Sequence, residues 1–226
     1  MHCRITLFAA ILFSATLTAR ADAPSAAQIL DQVRLQQSQQ QLDLQGQLRT
    51  EDKVIPFRLT QTGPTIRYTF ANPPEVLQLR LGEKSSTLDL VHETSTEKFA
   101  RSRLDDRIGG TAVTYGDLAL KFLYWPHAEV LGEETVRTRP CWQLRLQPPS
   151  RDAQYSNILL WVDKESGALM RIQAYDWQGR LTKRFEVVSA QKIDGRWFLK
   201  EMRIEDLQPG VNKVLSRTYL DIKKPS

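Results

Sequence analysis

Residues 155–206 read YSNILLWVDKESGALMRIQAYDWQGRLTKRFEVVSAQKIDGRWFLKEMRIED, and this stretch decides the fold. Four apolar-rich runs, 155–163, 169–175, 181–193 and 197–206, are separated only by turn-forming residues. Lys164-Glu165-Ser166-Gly167 and Asp176-Trp177-Gln178-Gly179 each place glycine where a tight turn needs a positive φ. Asp194-Gly195 is the strongest turn signal, since both residues tolerate the backbone of a two-residue hairpin. Strands joined by such short turns must pair with their neighbours in sequence, so the stretch predicts an antiparallel meander.

The same grammar extends in both directions. Runs 130–136 and 141–147 precede the meander and 214–222 follows it. Upstream, the apolar period is two: Ile55, Phe57 and Leu59, then Ile66, Tyr68 and Phe70 after Gly63-Pro64. Leu77, Leu79 and Leu81 follow Asn72-Pro73-Pro74, then come Leu88 and Leu90, and Phe99 beside Arg101 and Arg103. Alternation of this kind marks half-buried antiparallel strands. The count is about eleven or twelve strands, more than one flat sheet accommodates, so the sheet curls or splits. Two segments break the period. Residues 25–41 carry Ile29, Leu30, Val33 and Leu35 at near-helical spacing behind the N-cap candidate Ser25. Residues 115–124, YGDLALKFLY, put Leu118, Leu120, Phe122 and Leu123 on one helical face between Gly109-Gly110 and Trp125-Pro126. These two helices are the expected covers of an apolar concave face.

The N-terminus predicts export. Arg4, the apolar run 5–17 and Ala19-Arg20-Ala21 form the charged, greasy and small-residue parts of a signal peptide, with cleavage after Ala21. The expected organisation is a leader over 1–21 and one domain over 22–226. Loss of Arg4 and Arg20 lowers the formal charge from +5 to +3. Both signs are mixed along the chain, as in Glu83-Lys84 and Asp163-Lys164-Glu165, so no nucleic-acid stripe is expected. Cys3 leaves with the leader, and Cys141 is expected to be a buried structural thiol between apolar neighbours.

Chemistry is sparse. His92 and His127 belong to no metal-ligand spacing, and no Cys-x-x-Cys, His-Glu-x-x-His or Gly-x-Ser-x-Gly occurs. Gly109-Gly110 lacks the lysine and hydroxyl of a phosphate loop, and Asp105-Asp106 is an isolated acidic pair. The expectation is a non-enzyme that uses no cofactor and no metal. Tyr68, Phe70, Trp142, Trp161, Tyr175, Trp177 and Trp197 are read at strand positions, where they pack a core or line a cavity.

The order of elements resembles the LolA-like outer-membrane lipoprotein-sorting family. The matching stretches are Gly116-Asp117-Leu118, Leu160-Trp161-Val162-Asp163, residues 175–183 (YDWQGRLTK), and Trp197 ahead of Met202-Arg203-Ile204. The resemblance implies a mainly β fold, a curved antiparallel unclosed β-barrel of about eleven strands plugged by an N-terminal and a mid-chain helix. It also implies a periplasmic carrier that takes lipoprotein acyl chains, or other lipids, into an apolar cavity and moves them toward the outer membrane. Its partners would be an inner-membrane donor and an outer-membrane acceptor, and a monomer is expected. Phe57, Leu59, Phe70, Leu77, Leu79, Leu88, Leu90, Trp142, Leu144 and Leu146, from one apolar face of their strands, are the expected cavity wall. Leu118, Phe122 and Leu123 are the expected lid. A charge at Leu79 or Leu144 is accordingly expected to abolish acyl-chain binding. A lipid- or lipoprotein-sensing regulatory module with the same cavity, and an assembly protein with a filled interior, are the alternatives.

Overall fold

A computed structural model of the chain describes residues 23–193 and 196–223. The leader 1–21 and the Asp194-Gly195 turn lie outside the described residues. Thirteen strands form one antiparallel sheet. They are β1 Gln41–Arg49, β2 Val54–Thr62, β3 Thr65–Ala71, β4 Pro74–Leu81, β5 Ser86–Val91 and β6 Thr96–Lys98, then β7 His127–Val136, β8 Arg139–Gln147, β9 Asn157–Asp163, β10 Leu169–Tyr175, β11 Leu181–Ile193, β12 Arg196–Leu207 and β13 Val214–Lys223. The spatial order is β6-β5-β4-β3-β2-β1-β13-β12-β11-β10-β9-β8-β7. Two meanders are thus joined at their inner ends by β1 and β13, in the register Leu48↔Leu220 and Gly46↔Ile222. The outer strands β6 and β7 do not pair, so the curved sheet remains an unclosed barrel. The count exceeds the expected one partly because β6 is only three residues long.

The turns of the second meander are built as their residues dictate. Asp163 accepts from the Ser166 backbone N–H at 2.7 Å and the Ser166 hydroxyl at 2.6 Å, and Arg139 grips it with two bonds at 2.8 and 2.9 Å. Burial pushes this carboxyl up, yet those donors outweigh it and hold the group down at about 2. Asp176 organises the next turn by accepting from the Gln178 and Arg180 N–H groups at 3.0 and 2.8 Å. Gly167 and Gly179 take the positive φ values of 64° and 73° that these turns need. Trp177 therefore sits in a turn rather than on a strand, its indole donating to the Ala153 carbonyl at 3.1 Å.

Helix α1, Ala26–Ser38, starts at a reciprocal cap: the Ser25 hydroxyl accepts from the Gln28 N–H, and the Gln28 side chain accepts from the Ser25 N–H at 2.8 Å. It ends before Gln41 because that residue is drawn into the β1–β2 ladder opposite Thr62. Ile29, Leu30 and Val33 are buried, whereas Leu35, expected on the same face, is 56% exposed. The mid-chain insert departs further from expectation. It is one turn of helix, α2 Tyr115–Leu118, followed by a left-handed Leu120 at φ 50° and a 3-10 turn, Lys121–Tyr124. A single helix could not serve both of its contacts. Tyr115 and Ala119 pack on the first meander, while Phe122 and Leu123 pack with α1 on the second.

Two cores result. One joins β1–β5 to the insert through Ile55, Ile66, Phe70, Leu77, Leu79 and Leu88. The other joins β8–β10 to α1 through Leu144, Leu146, Ile158, Leu160 and Ile172. On the convex face, Val136, Cys141 and Trp161 make a small third cluster, and burial pushes the Cys141 thiol up. No helix among the described residues is long and apolar enough to cross a membrane.

Candidate functional site, an apolar cavity

The covers leave the middle of the sheet bare. α1 shields β8–β10 and the insert shields β3–β5 and the Leu48–Ile55 end of β1 and β2, so the inward side chains of the rest of the central strands face open space. A cavity of about 1450 Å³ lies there, beyond the roughly 300–1,000 Å³ of sites for drug-sized ligands. Its floor is built by strand alternation, with Leu42 and Leu44 from β1, Phe57 and Leu59 from β2, and Phe185 and Val187 from β11. Met202 and Ile204 from β12 and Leu220 and Ile222 from β13 complete it. Leu118, Leu120, Phe122, Tyr124 and Trp125 roof it.

Among the residues expected from the sequence, Phe57, Leu59, Leu118 and Phe122 face this space. Phe70, Leu77, Leu79, Leu88, Leu144, Leu146 and Leu123 do not. They are buried in the solid cores, with Leu77, Leu79, Leu144 and Leu146 at 0% exposure. Leu90 and Trp142 are half-buried against those cores, and Lys164 lies 3.8 Å over the Trp142 ring. A charge at Leu79 or Leu144 therefore tests folding rather than binding. Phe185, Met202, Leu220 and their neighbours went unpredicted, although the same period-two signal marks them. What separates the two sets is which strands the covers reach, and no periodicity encodes that.

Polar groups frame the cavity at specific points. Tyr68 lines it, its hydroxyl has no hydrogen-bond partner among the described residues, and burial pushes this phenol up to about 12. At one end, Lys183 Nζ lies 2.7 Å from Asp117, which also accepts from the Tyr155 hydroxyl at 3.0 Å and the Thr114 N–H at 2.8 Å. Arg107 and Ser216 hold Asp206 beside them at 2.6 and 2.7 Å. This buried network pins α2 to β11 and β12. At the junction of the covers, Arg34 of α1 donates to the Leu123 carbonyl and stacks 5.3 Å over Tyr124. That clasp was not foreseen from the sequence, because an arginine on a polar helix face carries no pattern of its own. Trp197, expected on a packed strand, stands 68% exposed at the rim.

The histidines and the glycine pair weighed in the sequence stand apart from this space. His92 pairs with Glu97 at 3.1 Å and is no part of the wall, nor is His127. Gly109-Gly110 forms a 3-10 turn whose Gly109 carbonyl accepts from Lys53, and Asp106 pairs with Arg103 at 3.6 Å. Among the described residues, no cluster of three His, Cys, Asp or Glu side chains is placed to hold a metal ion.

A family model described as "Uncharacterized protein" matches residues 93–226. No curated protein matches the chain. Solved structures with this fold include a DUF1329 family protein from Desulfovibrio piger, 22% identical, with a TM-score of 0.63 over 88% of this chain and 89% of that one. A putative outer membrane lipoprotein-sorting protein domain from Vibrio parahaemolyticus is 12% identical, with a TM-score of 0.66 over 88% and 90%. A LolA superfamily protein from Nitrosomonas europaea is 18% identical, with a TM-score of 0.61 over 89% and 93%.

Proposed function

We propose that this chain, which belongs to the family matched over residues 93–226 and has the LolA-like fold, is a periplasmic carrier of lipid acyl chains. The observation that carries this reading is the bare centre of the sheet, a large apolar space between two well-packed cores. Each buried methylene gains about 0.8 kcal/mol over water, so acyl chains do not leave a bilayer unaided at useful rates. A slot of matching apolarity removes most of that cost without trapping the chains. The cargo would be a lipoprotein or another lipid, received from an inner-membrane donor and passed to an outer-membrane acceptor. Neither a cofactor nor a bond-breaking step is needed.

The unclosed edge supplies the way in. Parting α1 from the insert requires release of the Arg34–Leu123 bond, so Arg34 acts as the clasp of the slot. The test is transfer of labelled lipoprotein from inner-membrane to outer-membrane vesicles. The native chain is expected to deliver cargo, while Met202→Trp, which fills the floor, is expected to fold normally and take up none. Failure of the native chain to take up any acyl chain would overturn the reading. Uptake without delivery would instead point to a sensing module.

A further inference from the structure

Ion pairing on this molecule is dense. Arg49, Arg80, Arg107, Arg139, Arg171 and Arg217, among others, each face a carboxylate. The lysines pair less often, Lys164 and Lys183 being the ones with a carboxylate partner among the described residues, and three unpaired ones gather at the rim of the cavity. Lys84, Lys98 and Lys121 all line it, and none has an ion-pair or hydrogen-bond partner among the described residues. The Ser86 hydroxyl bonds to the Ala119 carbonyl, which draws the turn carrying Lys84 against the segment carrying Lys121. Arg101 joins them at the rim, with Asp152 at 3.2 Å as its carboxylate partner among the described residues.

Asp105 and Asp152 line the cavity too, but Lys84, Lys98 and Lys121 pair with neither, and like charges gathered without a paired counter-charge repel one another. Lys121 registers this: desolvation first, then the charges of Arg101 and Lys98, push its ammonium down. A cationic rim above an apolar interior is complementary to a molecule with an anionic head and a hydrocarbon tail. We propose that the cavity selects anionic amphiphiles, a phosphate or carboxylate head being held by Lys84, Lys98 and Lys121 while the chain enters the interior. This rests on the acyl-chain reading above and narrows it, because an uncharged head would leave the three ammonium groups uncompensated and a zwitterionic one would bring its own cation against them.

The test measures binding of dodecyl phosphate, dodecylphosphocholine and inorganic phosphate by calorimetry, below micelle-forming concentrations. The native chain is expected to bind dodecyl phosphate about ten-fold more tightly than dodecylphosphocholine, as three exposed ion pairs allow. Added salt should shrink that preference. The variant K84Q/K98Q/K121Q should bind both amphiphiles with the affinity the native chain shows for dodecylphosphocholine. Equal binding of the two by the native chain, or an unchanged preference in the variant, overturns the head-group proposal and leaves the acyl-chain reading standing. Binding of neither overturns both. Inorganic phosphate binding as tightly as dodecyl phosphate would make the rim a free-anion site and also overturn the proposal. Should the variant fail to fold, the native chain's preference and its salt dependence decide the matter alone.

Discussion

At the scale of single residues, the cavity depends on what is missing as much as on what is present. Gly46 on β1 lies opposite Phe57 on β2, and a Cβ there would fall 2.5 Å from the Phe57 ring and 3.0 Å from the Asp221 carbonyl oxygen. The ring tip has empty space to move into, so Gly46→Ala is expected to push Phe57 into the cavity rather than unfold the sheet. Each methylene thereby excluded costs about 0.8 kcal/mol, about four-fold in affinity for a twelve-carbon chain. Thermal unfolding and ligand titration of the variant separate the two effects. A lowered midpoint with unchanged affinity would show that Phe57 does not shape the slot. Tyr68 makes the complementary point, since a hydroxyl without a partner among the described residues gives the wall a group that can hydrogen-bond a ligand.

At the scale of elements, the strands were legible and the covers only partly so. Period-two apolar runs and Gly-bearing turns located the second meander, because backbone pairing and turn geometry are local demands. The mid-chain cover is helical but broken within 115–124, because its apolar spacing answers two different cores, which no single helical face can reach. A reason for the specific stretches 116–118 and 175–183 emerges in three dimensions. They are joined by the buried Asp117–Lys183 pair, 5% and 6% exposed at the side chains. Lys183→Met leaves the buried Asp117 carboxylate without its cation and is expected to cost about 3–5 kcal/mol, whereas Asp117→Ala leaves Lys183 with Asp206 at 3.8 Å and is expected to cost less. The double variant should cost less than the sum of the two, with the coupling read by denaturant unfolding. Strict additivity would mean that the two groups do not support each other.

At the scale of the whole molecule, the unclosed sheet and its two covers divide the interior into solid flanks and a hollow centre. Antiparallel strands, their alternation and the presence of two covers could be read from the residues, and the unclosed barrel from the family resemblance. The location of the hollow could not, since Leu79 and Met202 obey the same alternation and differ only in what lies above them. A carrier role requires that hollow to accept hydrocarbon, which a crystal structure with a brominated twelve-carbon amphiphile tests directly. Anomalous bromine density is predicted between Phe185, Met202 and Leu220, beneath Leu118 and Phe122. Bromine found only on the outer surface, or side chains collapsed into that space in the presence of the ligand, would contradict it.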